Sequence, residues 1–434
     1  TLAGGIILAS FRAGQWHSPA SAAQATVGAV QSFDMSAIYL DHNATTPLAD
    51  HVAEAMLACQ RAGLANPSSQ HAAGRRARAL VEECRESIAR ILGARTSGPR
   101  PDRLLFTSGG TEANNLAIFG LAALRQGPLA ASAVEHPSVH GPATQLARQG
   151  RPLLTIAVDA SGQIRLDHLN TILTQQPALA AIMLGNNETG VLQPVTEAVA
   201  RASAAGVPVH CDAVQAAGKL PLDFQALGVA SLAVSAHKFH GPVGIGALLV
   251  RHDVPLAPLA FGGHQQYDLR PGTEPVALIV GMTKALERFA DEQQARTARM
   301  TALREHFEHS LLAECPDLVV HGRGAPRLPQ TTAVAFPGVN RQAMFMALDL
   351  AGLACSTGSA CASGSSEPSP VLLAMGLEKP LVDASLRFSL GAETTRDELG
   401  RASRIILQTY KGLRGALSQR KIAATGRENS SIPL

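Results

Sequence analysis

Lysine is scarce in this 434-residue chain: six lysines stand against 31 arginines, and none comes before Lys219. Lys238 has the setting for covalent chemistry. It follows an apolar, strand-like run and precedes a glycine-rich turn in SAHKFHGPVGIG, beside His237. An amine at the carboxyl end of a strand is positioned for an imine rather than for solvation. In isolation a surface lysine is the commoner outcome, and the neighbouring clusters reverse that. Asp212 ends the preceding strand pattern, after His210 and Cys211. A separation of two lets His210 and Asp212 share a strand face, which leaves a metal pair open, but no third ligand follows nearby. A carboxylate that pairs with a pyridinium nitrogen suits a lysine imine better.

The segment Thr107, Ser108, Gly109, Gly110, Thr111, Glu112 lies between a strand pattern and a helix expected to begin near Glu112. Glycines that allow close approach, hydroxyls, and N–H groups at a helix start bind phosphate; many such turns only cap helices. His136, in VEHPSV, is a candidate for stacking or proton transfer, although a lone histidine is more often an ordinary polar residue. An imine lysine, an acid for a ring nitrogen, a phosphate cradle and a ring to stack together describe one cofactor, pyridoxal 5'-phosphate. Their joint occurrence is far more specific than any one of them.

Two further features could handle a substrate. Cys361, in CSTGSACASGSSEP, is flanked by Gly, Ala and Ser with almost no apolar anchors, which predicts a mobile loop and an exposed thiol. Cys355, after Gly352, Leu353 and Ala354, fits a buried structural cysteine instead. Arg387, in SLRFSLG, is a lone arginine within a strand, where it needs a partner anion; a substrate carboxylate is a suitable mate.

The elements that must position these residues alternate from about residue 50 to 290, helix with short apolar run, as in a mostly parallel sheet covered by helices. Runs at 103–106, 179–184, 207–210 and 230–234 each lead into a polar cluster, and in open α/β sheets ligands sit outside the carboxyl ends of the strands. Residues 68–92 read as an amphipathic helix with Ala73, Ala77, Leu80, Val81, Cys84, Ile88 and Ile91 on one face. A long helical pattern over 276–312 leads to a second domain, with strands near 331–336 and 385–390 and helices near 341–350 and 396–416.

Composition bounds the rest. Hydrophobic residues make up 46% and charged residues 16%, enough apolar material for two cores, and a net charge of +3 is no nucleic-acid footprint. The longest apolar runs are strand-sized, well short of a spanning helix. The six cysteines form no CxxC pair, so neither a zinc knuckle nor a disulfide framework is indicated and a reducing, cytoplasmic compartment is expected. Residues 1–34 hold one arginine and one acid without steady periodicity, and match neither a secretory signal nor a mitochondrial presequence. They read as a non-native or disordered extension ahead of Met35, and they contain the only tryptophan, Trp16.

Taken in order, YLDHNATTP (from Tyr39), NPSSQH, FTSGGTEANN, EHPSV, NNETG, HCDAVQAAGK, SAHKFHGPVGIG, RPGTEP, STGSACASG and LRFSLG resemble the cysteine desulfurases. The likeness is to the branch with a long active-site cysteine loop, as in bacterial nitrogen-fixation and iron–sulfur-cluster assembly enzymes of the class V aminotransferase superfamily. It covers about residues 38–410. It implies an α/β protein of pyridoxal-phosphate fold type I. A large domain with a mostly parallel seven-stranded sheet (46–292) would join a smaller α+β domain (35–45 with 293–420), followed by a tail at 421–434.

The resemblance also implies roles. Lys238 would be the Schiff-base lysine, Asp212 the partner of the pyridine nitrogen, Gln215 a donor to the ring oxygen and His136 the stacked ring. Gly110, Thr111, Ser235 and His237 would hold the phosphate, with Thr273 supplied by the other subunit of a homodimer. Asn187 would lie near ring oxygen and substrate, and Arg387 with Asn43 would clamp the substrate carboxylate. Cys361 would be the nucleophile that takes sulfur from L-cysteine as a persulfide, leaving L-alanine, for delivery to an iron–sulfur scaffold or a thiolation acceptor. The sequence departs from the family at Val243, often lysine, and at Gln266–Leu269, where more charge is usual; both departures bear on partner surfaces. A selenocysteine lyase, another class V aminotransferase and a catalytically silent sulfur-assembly scaffold are the competing readings. The last has no need of Lys238, Asp212, His136 and Cys361 together.

Overall fold

The computed structural model describes residues 37–358 and 367–428, with side chains through residue 416; Cys361 and residues 1–36 lie outside the described residues. A short strand β1 (Ile38–Tyr39) opens the described chain. Seven strands then form one sheet: β2 (Arg103–Thr107), β3 (Leu129–Ser132), β4 (Leu153–Ile156), β5 (Leu179–Ala181), β6 (Val209–Asp212), β7 (Ser231–Ser235) and β8 (Gly246–Val250). Their order is β2-β8-β7-β6-β5-β3-β4. β8 alone runs against its neighbours, so the other six end on the same edge.

Both faces of this sheet are covered, which explains why its strands read as near-continuous apolar runs. Side chains alternate across it. Leu104, Phe106, Leu232, Val234, Ala247 and Leu249 enter a core shared with Val81, Cys84 and Ile88 of the helix Ala72–Ile91. Leu105, Ala233, Leu248 and Val250 enter the opposite core, against Ala113, Leu116 and Ala117 of the helix Gly110–Ala122. That helix begins at Gly110 rather than near Glu112, because Gly109 can take the turn and the Glu112 carboxylate accepts the Ser108 N–H at 2.6 Å.

A second apolar cluster surrounds β9 (Val319–Val320), β10 (Thr331–Ala335) and β12 (Ser385–Ser389), an antiparallel sheet in the order β12-β10-β9. β11 (Leu353–Ala354) pairs in parallel with β1. The helix Val276–Glu314 serves both clusters: Ile279, Met282 and Leu286 pack under the large sheet, while Met300, Phe307 and Leu311 pack against the small one. Each such side chain, fully buried, is worth about 1.5–3 kcal/mol, so this helix alone couples the two cores strongly. The last helix runs from Arg396 to Glu428, past the expected end at 416. Among the described residues no helix is long and apolar enough to cross a membrane.

Candidate active site at the carboxyl edge of the sheet

The polar segments that follow β2, β3, β5, β6 and β7 converge on a cavity of about 340 Å³. Lys238 reaches it from a single 3-10 turn after β7, and its Nζ donates to the carbonyl oxygens of Asn43 (2.6 Å) and Ala44 (2.7 Å). The strap carrying those carbonyls is fixed to the lysine turn by Thr46, whose N–H and hydroxyl both donate to the His237 carbonyl (2.9 and 2.8 Å).

Asp212, the last residue of β6, forms part of the cavity wall and is almost fully buried. Its Oδ1 accepts the Val214 N–H (2.9 Å) and its Oδ2 accepts Asn114 Nδ2 (2.7 Å). Asn114 Oδ1 in turn lies 2.9 Å from His210 Nε2, and His210 Nδ1 lies 2.9 Å from Ser231 Oγ. Burial pushes His210 down to about 4, only partly opposed by Asp212. The neutral ring therefore relays hydrogen bonds towards the Asp212 carboxylate and has no nitrogen left for a metal. Among the described residues no group of three or more His, Cys, Asp or Glu is placed to hold one. Asn114 was not legible as a site residue; its only signal is a polar side chain on an otherwise apolar helix face.

His136 caps the helix Pro137–Arg148, its Nδ1 accepting the Ser138 N–H at 3.1 Å and lying 2.8 Å from Ser138 Oγ. Burial lowers its pKa, with Asp212 pulling the other way and Lys238 adding to the drop. Its neighbour Glu135 points elsewhere: Oε1 accepts from Ser132 Oγ (2.6 Å) and the Met183 N–H (2.7 Å), and complete burial raises the acid to about 8.

At the helix start, Gly110, Thr111, Ser235 and His237 border the same cavity. A Cβ on Gly110 would sit 2.7 Å from Val214 Cγ2, so any larger residue there would force Val214 to move. Ser235 Oγ is buried and has no partner among the described residues. His237 Nδ1 lies 3.1 Å from Thr45 Oγ1, and burial followed by Lys238 pushes the ring down to about 4.

The cavity lining also includes Asn43, Asn187, Gln215 and Arg387. The Asn187 carbonyl accepts from Asn43 Nδ2 (3.1 Å) and from Arg387 NH1 (3.0 Å). Arg387 is 1% exposed, and its mate in the protein is Asp41, 2.6 Å from NH2. A partner anion for this buried arginine is thus present within the protein, and its Nε remains buried with no partner among the described residues. Thr273 is exposed and outside this cavity. The described chain breaks off at Gly358, whose carbonyl lies 3.4 Å from Arg387 NH1, three residues before Cys361. Of the departures noted in sequence, Gln266 is no surface residue: its buried Oε1 accepts from Arg85 NH1 (2.8 Å) and the Phe106 N–H (3.1 Å), leaving Tyr267 exposed.

This geometry agrees with comparison to known proteins. The profile of the family Aminotransferase class-V matches residues 38–401. The chain belongs to the class-V aminotransferase family. A protein of Trichormus azollae named cysteine desulfurase is 41% identical over 382 residues, covering 88% of this chain and 94% of its own. Cysteine desulfurase NifS of Azotobacter vinelandii is 38% identical, covering 85% and 92% respectively. The crystal structure of a NifS-like protein from Rickettsia africae superposes with a TM-score of 0.79 at 31% identity, over 86% of this chain and 99% of its own. The fold is therefore the α/β fold of NifS-like proteins, and the family works with pyridoxal 5'-phosphate. The cavity fits that group. It offers an amine, an acceptor-only carboxylate held by two donors, and, at a helix N-terminus, a cradle with an unpartnered buried hydroxyl.

Proposed function

We propose that this chain converts L-cysteine to L-alanine and receives the sulfur on Cys361 as a persulfide. The observation that carries the reading is that Lys238 and Arg387 open onto one cavity whose wall includes Asp212, within a chain about 40% identical to proteins named cysteine desulfurase. Bound there, pyridoxal phosphate supplies a ring that withdraws electrons from the substrate's α-carbon. Lys238 would anchor it through Nζ, Asp212 would face its ring nitrogen, His136 would stack on it and Gln215 would donate to its ring oxygen. Gly110, Thr111, Ser235 and His237 would hold its phosphate.

The chain's own groups do the rest. Arg387, assisted by Asn43 and Asn187, binds the substrate carboxylate. Lys238 Nζ, once free, moves the proton at the α-carbon. His136, oriented by the contacts of its Nδ1 with Ser138, lines the cavity where it would exchange a proton with an incoming thiol. Cys361, as thiolate, attacks the substrate sulfur: the carbon–sulfur bond breaks, a sulfur–sulfur bond forms, and alanine leaves after its β-carbon is protonated. The atoms balance as one cysteine and one thiol giving one alanine and one persulfide.

A homodimer accords with the exposed segment carrying Thr273, where Phe261 is 87% exposed and Tyr267 48%, surface that a second copy would cover while adding Thr273 to its cavity. The five described cysteines are all unpaired, which suits a reducing, cytoplasmic compartment. The persulfide would pass to an acceptor protein such as an iron–sulfur scaffold. Purified protein loaded with cofactor should release alanine from L-cysteine, and prior alkylation should stop it. Alanine formation undiminished by alkylation contradicts the role given to Cys361.

A further inference from the structure

Directly beneath the cavity lies a lysine that the proposed mechanism does not use. Lys219 is 4% exposed, and its Nζ donates to Gln215 at two points, the backbone carbonyl (3.2 Å) and the side-chain Oε1 (3.4 Å). Among the described residues it forms no ion pair with a carboxylate; the charges it feels are the cations Lys238 and Arg387, which add to burial in pulling its pKa well down. Such a site is expensive for an amine. The backbone is arranged to produce it. Gly218 adopts φ +72°, and a Cβ there would sit 2.2 Å from Phe239 Cβ, so a glycine turns the chain back under Gln215. Thr297 of the long helix then caps the Lys219 carbonyl at 2.8 Å.

The consequence falls on an amide. A glutamine side chain is almost symmetrical in shape, and its neighbours decide which end is oxygen. Here Lys219 Nζ donates to Oε1, so the oxygen end faces Lys219. That leaves Nε2 on the side of Asn43, whose carbonyl it meets at 3.0 Å and which Lys238 Nζ also meets at 2.6 Å. We infer that Lys219 is the positioning residue for Gln215, fixing the amide so that its N–H end faces the cavity and can donate to the cofactor's ring oxygen. This rests on the reading of the cavity as a pyridoxal-phosphate site. A hydrophobic residue at 219 would fill the same space but remove the donor to Oε1, leaving the Asn43 carbonyl to orient the amide without it.

The test compares Lys219→Met, Gln215→Ala and the double variant with the wild type. The readouts are the dissociation constant for pyridoxal phosphate and the position of the bound cofactor's visible absorbance band, both without substrate. Lys219→Met should weaken cofactor binding about tenfold, the size of a lost coupling between groups in contact, and move the band. In the Gln215→Ala background the same change should do neither. Equal losses in both backgrounds, or no loss in either, overturn the assignment. Should Lys219→Met fail to fold, Gln215→Glu answers the question with Lys219 in place. A carboxylate presents an acceptor at both ends and should bind the cofactor at least as poorly as Gln215→Ala, while wild-type affinity overturns the assignment. Wild-type protein that takes up no pyridoxal phosphate overturns the functional reading itself, and this inference with it.

Discussion

Lys238 Nζ donates to the backbone carbonyl of Asn43 at 2.6 Å, across 195 positions of sequence. The amine is thus held by a strap entering from the small sheet, where Asp41 bridges to Ser389 of β12 and pairs with Arg387. One short segment therefore links the group proposed to bind the cofactor to the group proposed to bind the substrate.

Lys238→Ala should fold, because the Asn43 and Ala44 carbonyls that accept from the amine face a cavity where water can satisfy them. Turnover should fall below detection, and borohydride should no longer fix the cofactor to the peptide carrying residue 238. Mass spectrometry after reduction reads this directly. A covalent adduct elsewhere in the chain contradicts the assignment.

Arg387→Ala removes a buried cation and leaves the partly exposed Asp41 without its mate, which should destabilise the fold by less than the roughly 3–5 kcal/mol of breaking a fully buried pair. Arg387→Lys keeps the charge but loses the fork. It should raise KM for cysteine about tenfold to a hundredfold, the worth of one charged hydrogen bond at about 1.5–3 kcal/mol, while the cofactor spectrum stays as in the wild type. An unchanged KM removes Arg387 from the substrate site.

Glu135 is pushed up to about 8 by burial, and its Oε2 has no partner among the described residues. The folded state holds this proton more tightly than the unfolded chain. Its stabilising contribution is complete below the ordinary value of 4.5 and is lost as pH rises through about 8. Glu135→Gln keeps the acceptor for Ser132 and Met183 and cannot ionise. Urea unfolding across that window should show the wild type losing stability with rising pH relative to the variant; parallel profiles contradict the assignment.

The histidines give the opposite slope. Burial holds His210, His237 and His240 at about 4 and His42 at about 3, all below the ordinary 6.5. They fold neutral, so their contribution is present above 6.5 and is lost as pH falls towards 4 and below, where the unfolded chain binds more protons. Melting temperature should decline through that range. A flat profile down to pH 4 shows that these rings are not neutral in the fold.

Much of this site was legible in the sequence because its residues follow apolar runs at strand ends, where type and place carry the signal. Lys238, Asp212, His136, Gly110 and Asn187 all reach one cavity for that reason, and Arg387 joins them from within β12 of the small sheet. What could not be read is what holds them. Asn114 between His210 and Asp212 and Asp41 beside Arg387 depend on contacts between segments distant in sequence, while Lys219, only four residues from Gln215, meets it through a glycine turn that the residue types do not announce. Helix ends were legible to within a few residues except at the last helix, where the polar stretch after 416 continues as helix to Glu428.

The most direct test is one incubation of the cofactor-loaded protein with L-cysteine under non-reducing conditions, followed by amino-acid analysis and peptide mass spectrometry. The account predicts alanine and a gain of one sulfur atom on the peptide containing Cys361, both lost in Cys361→Ser while the cofactor remains bound. Alanine from the Cys361→Ser protein at the wild-type rate, or sulfur carried on another cysteine, contradicts it.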